Sequence, residues 1–309
     1  MPVVRILYDV AGWAYHRRAL ALQAHAPPSY TVEIGPLARG DDAGRALGDA
    51  PPDIVLAFPG RRAEAVRAAL TARGWPTRLA VGWTIGWPEW QREFHAAYAA
   101  ADAVVFNNRI YWEETGRLAR TRVIANGVDL RTFRVIVPPA RRRPRVLWLG
   151  SEFHRARKGY DDIVLPLRER LRADGIECDF RLVDSHGGDL LPAAQMADWY
   201  NSGTVLLCAS RIEGTPNVAL EAAACGCTVV APRVGNMPEL IRDDWNGYLV
   251  ERDLDAVTAA VRKACAAYPR LAAAMAEAIA AWDWSACCRA HFALFDELSA
   301  PEWRRDAWS

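Results

Sequence analysis

The sequence predicts an α/β protein in which two doubly wound parallel sheets follow one another along the chain. Three observations carry that prediction. Short apolar runs rich in Val, Ile and Leu alternate with Ala- and Arg-rich stretches of helical length from one end to the other. The runs are apolar throughout rather than at every second residue, as strands are when helices cover both faces of their sheet. The alternation stops once, at a Pro/Arg-rich break, and then restarts. Alternating βα units on each side of the break imply a parallel sheet on each side. At ~150 residues per domain, 309 residues fit the same count of two.

In chain order, residues 3–8 read as a strand and 13–25 as a helix, then 30–34 and 53–58 as strands. A helix over 61–73 leads to a strand at 78–81, a helix over 89–100 to a strand at 103–106, and a helix over 110–119 to a last strand at 122–125. The break follows, Val137-Pro138-Pro139-Ala140 and then Arg141-Arg142-Arg143-Pro144-Arg145. Its prolines stiffen it and its arginines keep it solvated, so it reads as a linker. The alternative for the arginine run is contact with an anionic membrane surface or acceptor. After it, strands are expected at 145–149, 179–183, 204–208, 227–231 and 248–250. Helices are expected at 160–172, 195–200, 216–225, 238–242 and 254–267, with a mostly helical, Trp-rich tail from 271 onward. The expected division is a first domain over 1–137, a linker over 138–144, a second domain over 145–283 and a helical tail over 284–309.

Composition narrows the function classes. Hydrophobic residues make up 51% and charged residues 24%, as in ordinary globular proteins. No apolar run reaches the ~18 residues of a membrane helix, and no secretory signal is visible, so a cytoplasmic location is expected. A net charge of +1 gives no bulk attraction for nucleic acid. The seven cysteines lack Cys-x-x-Cys spacing and the six histidines are scattered, which argues for idle thiols and against a metal site.

The most informative stretch runs from Ser210 to Glu221, Ser-Arg-Ile-Glu-Gly-Thr-Pro-Asn-Val-Ala-Leu-Glu. It follows a buried strand, where ligands bind in open α/β sheets. Thr215 suits a helix N-cap, Pro216 a first helical residue and Gly226 the C-terminal stop. The helix end and its dipole attract an anion such as phosphate, and Gly214 lets that anion come close to the backbone. Asn217 and Glu221 share one helix face, while Val218, Ala222 and Cys225 form an apolar one. Glu213 lies in the loop before the helix. Two carboxylates beside a helix end that favours an anion suit neutral hydroxyls on either side of a diphosphate. The ligand this implies is a sugar–diphosphate–nucleoside.

Glu213 to Glu221 is a Glu-x7-Glu arrangement. With Pro216-Asn217, Leu220-Glu221-Ala222, Cys225-Gly226, Val234-Gly235, Pro238-Glu239-Leu240-Ile241 and Asn246-Gly247, it resembles the donor-site signature of family 4 glycosyltransferases of the GT-B fold. Upstream, Asn126-Gly127-Val128-Asp129 with Phe133 resembles the family's interdomain segment. Leu149-Gly150-Ser151 with Lys158-Gly159 resembles its first loop in the second domain. The resemblance is good from about 124 to 250 and weak before that. It implies two Rossmann-like domains with a C-terminal helix crossing back to the first, and metal-independent transfer with retained anomeric configuration. It implies that Glu221 binds ribose hydroxyls, that Glu213 holds the donor sugar and that backbone at Gly214, Thr215, Pro216 and Asn217 meets sugar or diphosphate. Lys158 would neutralise the departing diphosphate. The family places an arginine earlier in that loop, for which Arg155 is the first candidate here and Arg157 the alternate.

The first half departs more. Of the family's Gly-rich loop at the first strand–helix turn only Gly12 is clear, and Trp13 beside it reads either as a sugar-stacking ring or as a core residue. The His that the family places after a middle strand is absent from Val81-Gly82-Trp83-Thr84-Ile85-Gly86-Trp87-Pro88. Trp83 and Trp87 suggest an acceptor platform or a lipid-facing patch, with packing as the alternative. Together these readings imply a cytoplasmic enzyme, or one peripheral to the inner face of the membrane. It would move a sugar from a nucleotide-diphosphate sugar, a UDP-sugar by preference, to a hydroxyl acceptor in glycan, lipopolysaccharide or glycosylated-metabolite synthesis, with no cofactor. The alternatives are a GT-B nucleotide-sugar epimerase and a nucleotide-sugar-binding protein without transfer activity.

Overall fold

The structure, a computed structural model, describes residues 1–84, 91–184 and 191–303. It divides into two compact units, Met1–Asn126 with Trp284–Ser309, and Gly127–Asp283.

The first unit contains strands β1 (Val3–Tyr8), β2 (Thr31–Pro36), β3 (Ile54–Ala57), β4 (Arg78–Trp83), β5 (Ala103–Phe106) and β6 (Thr121–Val123). Helices α1 (Ala14–Ala24), α2 (Ala43–Ala46), α3 (Ala63–Ala72), α4 (Gln91–Ala100) and α5 (Arg109–Glu114) connect them. The strands form one six-stranded sheet in the order β2-β1-β3-β4-β5-β6, parallel at every pairing. β3 and β5 are buried along their whole length, as their unbroken apolar runs require. The helix expected over 110–119 stops at Glu114, because Gly116 and Arg117 take left-handed backbone that no α-helix can contain.

The second unit has strands β7 (Arg145–Ser151), β8 (Glu177–Val183), β9 (Val205–Leu207), β10 (Thr228–Pro232) and β11 (Gly247–Val250). Its helices are α6 (Leu165–Ala173), α7 (Ala193–Asn201), α8 (Asn217–Ala224), α9 (Met237–Leu240), α10 (Leu254–Ala266) and α11 (Tyr268–Ile279). The sheet order is β11-β10-β9-β7-β8, again all parallel. A wide π-type turn over Tyr160–Val164 precedes α6. Pro166, lacking an N–H, cannot make the bond that would continue a regular helix from that turn.

Helix α12 (Trp284–Ser299) belongs to the first unit, as the resemblance implies. It buries Phe292, Leu294, Phe295 and Leu298 in the first unit's core, and Asp296 accepts a 2.6 Å bond from the Tyr30 hydroxyl. The chain enters and leaves the second unit side by side, with Val128 N–H donating to Trp282 O at 2.8 Å. Residues 127–144, divided above between the first domain and a linker, are packed on the second unit. The Asn201 carboxamide accepts from the Ile136 and Val137 amides, and Arg142 donates to the Val137, Gly203 and Cys225 carbonyls. Arg142 is thus an anchor, not part of a solvated hinge. The seven cysteines are all thiols, and burial pushes those of Cys225 and Cys227 up to about 12.

Candidate donor site

The site is built where three loops leave the C-terminal edge of the second sheet, the edge at which open α/β sheets bind ligands. The first loop follows β7 and runs from Glu152 to Gly159. The second follows β9 and runs from Cys208 to Pro216, into α8. The third, Arg233 to Asn236, follows β10. Close backbone contacts lock them together. Arg211 N–H donates to Arg157 O at 2.9 Å. Gly159 has φ of +74°, and a Cβ there would lie 2.4 Å from Ala209 O. Gly235 has φ of +53°, and a Cβ there would lie 2.4 Å from Gly214 O. Only glycine combines that backbone with that proximity.

Glu213 is buried at the centre. Lys158 forms an ion pair with its Oε1, and the Ser210 hydroxyl donates to the same oxygen at 2.7 Å. Burial alone pushes the Glu213 carboxyl up. The Lys158 ammonium, the Ser210 hydroxyl and the Arg157 guanidinium outweigh it and hold the group below the usual glutamate range, so it is a carboxylate at neutral pH. Glu221 is buried one helix turn into α8 and accepts a 2.8 Å bond from the Tyr200 hydroxyl.

Helix α8 starts one residue later than expected. Pro216 is its N-cap and Asn217 its first residue, while Thr215 lies outside and receives a 3.2 Å bond from Asn236 Nδ2. Thr215 therefore holds the third loop instead of capping the helix. The far end is as expected: Gly226 is left-handed, and the Gly226 and Cys227 amides donate back to Ala223 and Ala222.

The two loop arginines differ sharply. Arg155 is committed to Asp161, which it meets through Nε at 2.9 Å and Nη2 at 2.6 Å, and it reaches Glu152 as well. Its guanidinium also lies over the Tyr160 ring. Arg157 acts on Glu213 electrostatically, and its buried Nε has no hydrogen-bond partner among the described residues. Ser151 ends β7 at the root of this loop.

The first-unit candidates fare differently. Gly12 is left-handed and its N–H donates to His16 Nδ1 at 2.9 Å, so His16 fixes the turn. Trp13 is the N-cap residue of α1. Trp83 is buried edge-on against Phe94 and tight to Gly60, so its ring is a packing element, not a platform open to a sugar. Trp87 lies outside the described residues. Ser210, Tyr200 and Asn236 were missed by the sequence reasoning. Ser210 had a signal, its place three residues before Glu213; Tyr200 and Asn236 had none. Among the described residues no three His, Cys, Asp or Glu side chains gather as a metal-holding group.

Two parallel Rossmann-like sheets, with this three-loop cluster on the second, define a protein of the GT-B fold class. Residues 143–267 match the family model "Glycosyl transferases group 1". A D-inositol 3-phosphate glycosyltransferase of Streptomyces scabiei is 39% identical over 102 residues, 31% of this chain and 23% of that one. The same-named protein of Xylanimonas cellulosilytica is 30% identical over 198 residues, 50% of this chain and 46% of that one. The chain thus spans less than half the length of these curated relatives. Sucrose-phosphate synthase from Thermosynechococcus elongatus shares the fold with a TM-score of 0.70 at 15% identity, over 96% of this chain and 99% of that one. Anabaena HepE, solved in complex with UDP and glucose, does so with a TM-score of 0.70 at 16% identity, over 96% and 100%.

Proposed function

We propose that the protein is a retaining glycosyltransferase that moves a sugar from a nucleoside diphosphate sugar, a UDP-sugar by preference, to a hydroxyl acceptor. The observation that carries this is the Glu213 carboxylate, held ionised by Lys158 and Ser210 beside the N-terminal end of α8. An ionised carboxylate there suits sugar hydroxyls, while Lys158, Arg157 and the helix end suit the diphosphate. The relatives' names support a glycosyl donor and a polyol acceptor, and the HepE complex supports UDP.

In the reaction, the acceptor hydroxyl oxygen bonds to the anomeric carbon as that carbon's bond to the diphosphate oxygen breaks. The acceptor's proton passes to an oxygen of the leaving diphosphate on the same face, which retains configuration. The task for the protein is to stabilise charge growing on that diphosphate. We assign it to Lys158 and Arg157. Arg155 is already committed to Asp161, so Arg157 takes the role for which Arg155 was the first candidate. Glu221, oriented by Tyr200, binds the ribose hydroxyls. Gly214, Thr215, Pro216 and Asn217 shape the approach to sugar and diphosphate, and Ser151 lines the donor-phosphate side. Trp13 is the remaining acceptor candidate. The reading needs no metal or other cofactor. We place the enzyme in the cytoplasm.

A thermal-shift series with UDP, GDP, ADP and TDP and their sugars tests the donor. We expect UDP to stabilise the protein, and nucleotide release from a UDP-sugar to require an added polyol. Stabilisation by no nucleoside diphosphate would overturn the proposal.

A further inference from the structure

The seven large hydrophobic side chains exposed among the described residues are not scattered evenly. Three are consecutive: Val135, Ile136 and Val137, with 43%, 54% and 38% of their surface open. An extended run lying against a core hides every second side chain. This one hides none of the three, and Pro138 after them is exposed too. The segment therefore stands as a ridge, and its backbone is held from beneath by the Asn201 carboxamide and the anchored Arg142. Cations surround it. Arg134, Arg141 and Arg143 are exposed, and none has a carboxylate partner among the described residues.

We infer that this ridge seats the protein on an anionic phospholipid bilayer, with Val135, Ile136 and Val137 entering the headgroup boundary and Arg134, Arg141 and Arg143 meeting lipid phosphates. A second copy is a poor occupant, because a two-fold contact would set arginine against arginine. A folded protein would need a groove shaped for the ridge, whereas a fluid bilayer accepts a projecting aliphatic edge without one. Clustered basic residues next to apolar ones are the pairing that binds acidic membranes. No helix among the described residues is long and apolar enough to cross a membrane, so such attachment is peripheral. The inference is independent of glycosyl transfer, since lipid binding is read without donor or acceptor.

The test is co-sedimentation of the full chain with vesicles of phosphatidylcholine alone and of phosphatidylcholine mixed with phosphatidylglycerol. We expect binding to the mixed vesicles only, weakened by salt. Arg141→Glu with Arg143→Glu should weaken it by at least tenfold, since each basic residue near an acidic surface contributes about fivefold. Val135→Ser, Ile136→Ser and Val137→Ser together should weaken it while circular dichroism shows the fold retained, because about half of each side chain is already open to solvent. No binding to mixed vesicles, or binding that both variants retain, would overturn the inference. So would a wild-type dimer in sedimentation equilibrium that the serine variant dissolves.

Discussion

Removing one member of the Lys158–Glu213 pair should expose the other as an uncompensated buried charge. The two side chains are 18% and 7% exposed, so the pair lies largely out of water. Breaking a buried pair from one side costs ~3–5 kcal/mol. Lys158→Met belongs at the lower end, about 3 kcal/mol, because solvent still reaches the lysine position and Ser210 continues to donate to the carboxylate. In a domain of roughly 150–250 residues, that loss lowers the melting temperature by about 6–12 °C. The double variant Lys158→Met, Glu213→Gln removes both charges while leaving Ser210 a carboxamide oxygen to bond. It should regain most of the loss. Urea unfolding followed by tryptophan fluorescence for wild type, both singles and the double closes the cycle. A Lys158→Met loss under ~1 kcal/mol, or a double equal to the sum of the singles, would refute the reasoning. Acid adds a check on sign. Glu213 is held below its unfolded value, so the stability it contributes is present above about pH 4.5 and fades as pH falls through the lower folded value. Glu213→Gln should remove that part of the acid sensitivity.

Glu221→Ala should weaken UDP binding by ~1–3 kcal/mol by isothermal titration, the cost of leaving ribose hydroxyls and Tyr200 without their partner. Gly235→Ala should lower the urea midpoint by the equivalent of about 2 kcal/mol or more, since its Cβ would press on Gly214 O from left-handed backbone. Arg157→Ala should slow transfer by roughly a hundredfold with little change in melting temperature, while Arg155→Ala leaves the rate near wild type. His291 is buried against Arg18, and burial first, then that cation, lowers its pKa to about 3. An imidazole held neutral below its unfolded value of about 6.5 contributes stability that is complete above pH 6.5 and lost on acidification. Between pH 6.5 and 4.5 the loss is about 2–3 kcal/mol, and His291→Gln should flatten that part of the pH–stability profile.

The sequence reported the architecture because parallel strands buried on both faces leave unbroken apolar runs, as at β3 and β5, and helices between them have little freedom of placement. The donor loops were legible for a related reason. Gly159 and Gly235 sit where backbone meets backbone, and Gly226 ends a helix; each such constraint admits few residue types. Partner choice was not legible. Nothing in Glu152-Phe153-His154-Arg155-Ala156-Arg157 says which arginine turns to the site, because the answer depends on Asp161, six residues beyond Arg155 and brought back by the turn at Gly159. Tyr200 reaches Glu221 from α7, a helix with no motif of its own. Arg142 was illegible for the same reason: in sequence it looks as solvated as its neighbours Arg141 and Arg143, until the Asn201 carboxamide and the Cys225 carbonyl supply acceptors.

Under the proposed function, the ion pair at the centre also bears on how the site would take its donor. With Glu213 ionised, Lys158, Arg157 and Glu213 together carry one net positive charge before any ligand arrives. A site with both cations unpaired would attract diphosphate more strongly, but would bear two like charges close together in a poorly solvated loop. The carboxylate relieves that repulsion and holds Lys158 in place. When a sugar hydroxyl donates to Glu213 and a diphosphate oxygen nears Lys158, the pair exchanges part of its mutual attraction for contacts on the two sides of the bond that breaks. As charge builds on the leaving diphosphate, the pull on Lys158 from that side grows while the pull from Glu213 does not. The interaction therefore strengthens in the transition state more than in the bound ground state, which is the condition for raising the rate and not only the affinity.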